Sequence, residues 1–187
     1  MSKLLKRTLL IILGIVVIGF AGMLILKSTT KKHSPEEVIS HIAGNANFTV
    51  FYNRPFKKGR AIFGNLVPYG EVWRTGANEA TSFTTDKDIL IDGTLLNAGT
   101  YTLWTIPNSD SWKIIFNSKE YGWGVDFKDG KAMREAEFDV VTLEVPVQPL
   151  LNIIEQFSIY FENANGFTLM YLAWDRTAIA VPIKIKE

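Results

Sequence analysis

From Phe48 onward the apolar residues of this chain recur at every second position in short runs, and no amphipathic helical stripe separates those runs. Phe48, Val50 and Tyr52 alternate with Thr49, Phe51 and Asn53. Trp112, Ile114 and Phe116 lie opposite Lys113 and Asn117, and Ile179, Val181, Ile183 and Ile185 lie opposite Ala180, Pro182 and Lys184. A period of two is the signature of a strand with one buried face. Turn chemistry punctuates the runs at Asp92-Gly93, Asn97-Ala98-Gly99, Pro107 to Asp110, Asn163 to Gly166 and Asp175-Arg176. This spacing predicts strands over residues 48–53, 80–85, 88–91, 94–96, 100–106, 112–117, 138–145, 156–162, 167–174 and 177–186. Residues 149–154 read as a single helical turn, and Pro182 places the last strand at an edge. Many short strands without intervening helices give an all-β fold: an antiparallel, jelly-roll-like β-sandwich, with a closed barrel as the alternative.

The N-terminus obeys a different rule. Residues 8–26 carry no charge, with Lys3, Lys6 and Arg7 before them and Lys27, Lys31 and Lys32 after. Nineteen residues at helical rise span about 28 Å, close to the thickness of a bilayer's hydrocarbon core. A cleavable signal peptide is the competing reading, with Gly19 and Ala21 as small residues near a cleavage site. The apolar run continues past them through Met23 to Leu26, which favours a retained anchor. Basic residues flank both sides, so orientation rests on the short N-terminal tail, which fits a single-pass anchor of the cytoplasmic membrane with the C-terminal domain outside. Ser34-Pro35-Glu36-Glu37 has the residues of a helix start and Gly44 those of a stop, so a short linker helix is expected over residues 35–43. The expected organisation is an anchor over 1–27, a linker with a short helix over 28–45 and one β-sandwich domain over 46–187.

Composition removes several classes of function. All nineteen acidic residues and fourteen of the twenty basic ones lie from His33 onward, leaving that part with a net charge of −5. A nucleic-acid footprint is therefore not expected, the local cluster Arg54, Lys57, Lys58 and Arg60 aside. The chain has no cysteine, which excludes disulfides, thiolate metal sites, a cysteine nucleophile and a lipid-accepting cysteine. Its two histidines, His33 and His41, are eight residues apart and do not make a metal site or triad. No metal and no cofactor are expected.

The stretch from Arg54 to Thr81 follows neither period. It is rich in glycine and concentrates Trp73, Arg74, Asn78 and Glu79 within seven residues. Long ordered loops in compact domains tend to be functional. Tyr69, Trp73, Arg74, Asn78 and Glu79 are the candidate binding residues. Tyr69 and Trp73, with Trp104 and Trp123, would form an aromatic platform for a sugar ring, while Arg74, Asn78 and Glu79 supply hydrogen bonds. Two further readings stay open here. Arg74 and Glu79 form a structural ion pair, or Glu79 is one carboxylate of a hydrolase, with Glu71, Asp110 or Asp126 as its partner. Trp104, Trp112 and Trp174 also read as core residues, leaving Trp73 and Trp123 as the more exposed.

The run GRAIFGNLVPYGEVWRTGANEAT, the later NAGTYTLWTIPNSDSWKIIFN, and the closing Phe157 to Glu162, Trp174 and Val181-Pro-Ile resemble the bacterial family known as domain of unknown function 2911. The resemblance covers about residues 46–186. It implies an exported or envelope-associated β-rich domain and carries no activity, substrate or cofactor with it. The functional expectation is a membrane-anchored, non-catalytic binding module for a glycan, a peptide or an envelope partner. The alternative is a hydrolase of envelope polymers using Glu79.

Overall fold

The computed structural model describes residues 2–186, apart from the side chain of Lys27. It divides into two compact units, Met1–His33 and Ser34–Glu187. The first is the helix α1 (Lys3–His33), 31 residues that are long and apolar enough to cross a membrane. Its first turn is capped by Ser2, whose hydroxyl accepts from the Leu5 amide at 3.2 Å. Its last turn carries Lys31, Lys32 and His33 against the negative end of the helix dipole.

Among the described residues the second unit is an open antiparallel sandwich of ten strands: β1 (Glu36–Ala43), β2 (Ala46–Asn53), β3 (Ser82–Thr85), β4 (Ile89–Ile91), β5 (Thr94–Leu96), β6 (Gly99–Pro107), β7 (Ser111–Asn117), β8 (Asp139–Pro146), β9 (Gln148–Ala164) and β10 (Phe167–Ile185). One sheet has the order β1-β2-β3-β6-β7-β8 and the other β5-β4-β10-β9. The alternating residues meet between them. Phe48, Val50, Tyr52, Phe83, Trp112, Ile114 and Phe116 from the larger sheet pack on Phe157, Leu172, Trp174, Ile179 and Val181 from the smaller. The sheets do not close into a barrel.

Two local expectations are corrected. Residues 35–43 do not form a linker helix. They form β1, which pairs with β2 over its whole length from Glu36↔Asn53 to Ala43↔Ala46, around the two-residue turn Gly44-Asn45. Val38, Ile39 and Ile42 suit one face of a helix, but Ile39, His41 and Ala43 suit one face of a strand equally well, and pairing with β2 decides between them. The proline and serine that mimic a helix start instead tie the chain down, since Pro35 O accepts from Arg54 N at 2.8 Å.

Residues 149–154 are not a helical turn but part of β9. Pro149 pairs with Thr177 and Ile154 with Asp175, so residues 150–153 bulge outward opposite Arg176 alone. The Arg176 guanidinium holds the bulge by donating to Leu151 O at 2.6 Å. The ends of β10 line one cleft, at Phe167-Thr168 and at Ile183 to Ile185, although a straight strand of its length would hold them about 60 Å apart. β10 therefore doubles back at Asp175, which has φ +55° and sits between two register shifts. The expected turn at Asp175-Arg176 is present as this reversal.

Pro182 lies past Ala178, the last residue of β10 that pairs with β9, so this part of β10 has a neighbour only on its β4 side, as expected of an edge. Its carbonyl accepts from Asp92 N at 3.3 Å, where β4 gives way to the Asp92-Gly93 turn. The donor that proline lacks thus falls where the ladder is already ending.

Candidate functional site

The strap between β2 and β3 is built by backbone hydrogen bonds through its first two thirds and by added side-chain hydrogen bonds in its last part, residues 73–81. Phe56 bridges to Gln156 on β9, and Trp73 bridges to Thr105 on β6, with Trp73 N to Thr105 O at 2.7 Å and Thr105 N to Trp73 O at 3.0 Å. This short piece of strand geometry sends Trp73 and Arg74 to opposite faces of the larger sheet. Trp73 turns inward. Its ring centroid lies 5.0 Å from that of Phe157 and 6.1 Å from those of Trp112 and Trp174, and its indole N–H donates to Gly76 O at 2.9 Å.

Arg74 turns outward and donates to Trp123 O at 3.2 Å. Burial pulls its guanidinium below its ordinary value, and the charge of Glu79 opposes that shift. From there the chain twists through Thr75 (φ +58°), Gly76 (φ +153°) and Asn78 (φ +55°). At Gly76 a Cβ would lie 2.9 Å from Asn53 O, so only glycine fits the crossing over β2. Thr81 Oγ1 donates to Thr75 O at 2.6 Å, and Thr75 Oγ1 to Thr105 Oγ1 at 3.2 Å.

Asn78 is the centre of the arrangement. It is buried, and its amide donates to Ser34 O at 3.1 Å and to Asn53 Oδ1 at 3.3 Å. Asn53, fully buried at the end of β2, donates in turn to Glu79 Oε2 at 3.1 Å. Asn78 and Glu79 are therefore joined through Asn53, which sequence reasoning missed, and Arg74 is tied to the pair only by the charge of Glu79. What they grip is the protein itself: the entry of the chain at Ser34, the end of β2 and the loop carbonyl of Trp123. Such a network satisfies buried polar groups of an irregular segment.

Tyr69 and Trp73 do not join it. Tyr69 is 46% exposed and stands over Gly64, where a Cβ would lie 2.7 Å from its ring. Trp104, Trp112 and Trp174 are all buried, while Trp123 is half-buried and tilted against Phe127 at 5.9 Å. No single platform gathers these rings. Glu71, Asp110 and Asp126, the carboxylates considered beside Glu79, are exposed. Among the described residues no group of three or more potential metal ligands occurs.

A different part of the sandwich offers open space. A cleft of about 540 Å³ lies between the β1–β2 and β9–β10 turns and the C-terminal end of β10, lined by Gly44, Asn45, Asn163, Asn165, Phe167 and Thr168 among others. Asn163 Oδ1 accepts from Thr168 Oγ1 at 2.9 Å and lies 3.2 Å from His41 Nε2, and the His41 ring stacks on Phe161 at 5.1 Å. Asn165 (φ +52°) and Gly166 (φ +79°) turn in the left-handed region. Among the described residues the lining holds amides, a hydroxyl, an exposed phenyl ring and the Lys184 cation, and no carboxylate. None of the five residues singled out from the sequence lies on it. Gly44-Asn45 and Asn163 to Gly166 are legible only as two turns, and nothing local signals that they meet.

The family described as Protein of unknown function (DUF2911) matches the chain over residues 34–183. The chain belongs to this family. The match begins at Ser34, where the second compact unit begins, so the DUF2911 domain includes β1. No curated protein and no solved structure matches the chain. Within the DUF2911 domain the run from Gly59 to Thr81 is the strap that crosses the base of the sandwich. Its Ile62, Val67 and Trp73 fill the core, and its Asn78 and Glu79 clasp β2 and Ser34.

Proposed function

We propose that the DUF2911 domain is a non-catalytic binding module, held by α1 in the cytoplasmic membrane and displayed on its outer side, and that it takes an envelope glycan in the cleft between the β1–β2 and β9–β10 turns. The observation that supports this reading is the chemistry of the cleft. Asn45, Asn163, Asn165 and Thr168 offer directional donors and acceptors, and the Phe167 ring offers a face, as sugar recognition requires. Among the described residues the lining has no carboxylate to act as acid, base or nucleophile. Glu79 is already engaged by Asn53 and by the charge of Arg74.

The test uses the full chain in nanodiscs with purified peptidoglycan fragments and neutral oligosaccharides as probes. Phe167→Ala and Asn165→Ala are expected to weaken glycan retention, with Glu79→Gln leaving it unchanged at equal fold content. Peptides in place of glycans as the retained probe, or release of reducing ends that Glu79→Gln abolishes, would replace this reading by a peptide module or a hydrolase. Protease added to spheroplasts is expected to remove the domain, and protection would overturn the outer placement.

A further inference from the structure

The end of the domain opposite the cleft carries a second unusual surface. β9 is an edge strand, and its bulge holds Leu151 at 91% exposure and Ile153 at 49%. Apolar side chains exposed on one bulge of an edge strand are candidates for contact with another surface when a charged rim surrounds them. The basic cluster of the strap flanks them. Lys57 N donates to Glu155 O at 2.7 Å and Lys58 N to Glu155 Oε1 at 2.8 Å, which brings Lys58 and Arg60, both exposed, beside the bulge. Lys57 itself pairs with Asp175 at 2.9 Å, at the reversal of β10. Arg176, also exposed, completes a basic surface on a domain whose net charge is negative.

This surface is joined to the entry of the chain. Pro35 accepts from Arg54, and Pro55 O accepts from Phe157 N at 3.0 Å, two residues before the Glu155 contacts. Residue 34 follows the apolar run by only seven residues, about 10 Å of helix. Resting on the reading of α1 as a membrane span, we infer that the bulge at Leu151 and Ile153, with Lys58, Arg60 and Arg176 around it, docks onto the anionic lipid surface of the membrane that holds α1. Apolar side chains enter the interface and basic ones meet the headgroups, as at other peripheral membrane contacts.

The chain has no cysteine, so single labels are specific. Asn152→Cys, on the bulge, and Asn165→Cys, at the cleft, are each labelled with an environment-sensitive dye in the full chain. The chain is then reconstituted into vesicles of three parts phosphatidylcholine to one part phosphatidylglycerol, with lipids bearing a spin label near the headgroup. Strong quenching is expected at position 152 and little at 165. Quenching at 152 should fall several-fold when Leu151 and Ile153 are both changed to Ser, when Lys58 and Arg60 are both changed to Gln, or in high salt.

Quenching that ignores all three changes would reflect the tether alone and overturn the inference. Absence of quenching with energy transfer between labelled copies would assign the bulge to a second copy instead. Flotation of the vesicles through alkaline carbonate reports the span separately, so failure of docking is distinguishable from failure of the anchor.

Discussion

The Tyr52 hydroxyl donates to Glu37 Oε2 at 2.5 Å, joining the buried floor of β2 to the outer edge strand β1. The same oxygen accepts from Ile159 N on β9 at 3.0 Å, and Arg54 runs alongside, from Glu37 Oε1 at 3.1 Å to Ser158 Oγ at 2.8 Å. One side of the open sandwich is thus laced by polar bonds from one sheet to the other. Tyr52→Phe keeps the ring packed edge-on against Phe157 and removes only the lacing. The expected loss is about 1–3 kcal/mol, read from urea midpoints of the full chain in detergent.

The same group sets an alkaline limit. Burial, reinforced by the hydrogen bond to Glu37, pushes the Tyr52 phenol well above its ordinary value of 10.0. The unfolded chain releases this proton near pH 10 and the folded chain only higher. Above that pH the unfolded state binds fewer protons, so stability falls as pH rises and is flat with respect to this group below it. Burial also raises Tyr101 and Tyr160, so Tyr52→Phe is expected to reduce the alkaline slope without abolishing it. An unchanged slope between pH 9 and about 11 would place the effect elsewhere.

Asn78 connects the start of the domain to the end of β2. Asn78→Ala leaves Ser34 O and Asn53 Oδ1 without this donor in buried surroundings, at an expected cost of about 1–3 kcal/mol for each orphaned group. Hydrogen exchange is the sharper measurement: β1 amides should lose protection before those of β6 and β7. Uniform loss across the domain would argue against a local clasp.

Arg74 and Glu79 are expected to behave as a coupled pair. Glu79→Gln keeps an acceptor for Asn53 and removes the charge that opposes the Arg74 shift, whereas Glu79→Ala removes both. Glu79→Ala should be the more damaging, on the order of 3 kcal/mol. A double-mutant cycle of Glu79→Gln with Arg74→Met should return an interaction energy above about 0.5 kcal/mol. Additive losses would show that each acts alone.

Gly76→Ala tests the crossing itself. Its φ of +153° and the 2.9 Å approach of an added Cβ to Asn53 O predict a loss of about 1–3 kcal/mol with no polar group changed. Gly59→Ala, with open space around it but φ +70°, should cost less. Equal losses would assign the whole effect to backbone conformation.

Much of the fold is legible in sequence because period-two burial is a local property. Phe48 to Tyr52 and Trp112 to Phe116 announce their faces without reference to any partner, and Asp92-Gly93 announces its turn. The candidate residues are legible in part for the same reason. A glycine-rich run with Arg, Asn and Glu close together is where polar groups converge, and there Asn78 and Glu79 meet through Asn53 while Arg74 feels the charge of Glu79.

By itself the sequence determined the apolar span, the all-β class, most strand positions and the family, because each depends on residues within a few positions of one another. Only the tertiary structure decided what depends on meetings across the chain. Residues 36–43 hold a pattern that fits helix and strand alike until β2 lies beside them. Trp73 and Arg74 are neighbours in sequence, yet the bridge to Thr105 sends one into the core and the other to Trp123. Two turns more than a hundred residues apart enclose the cleft, and Glu155, just past the bulge on β9, meets the backbone of a lysine pair from the strap. Backbone hydrogen bonding across the sheets fixes these relations, and it has no signature in the order of residues along either partner alone.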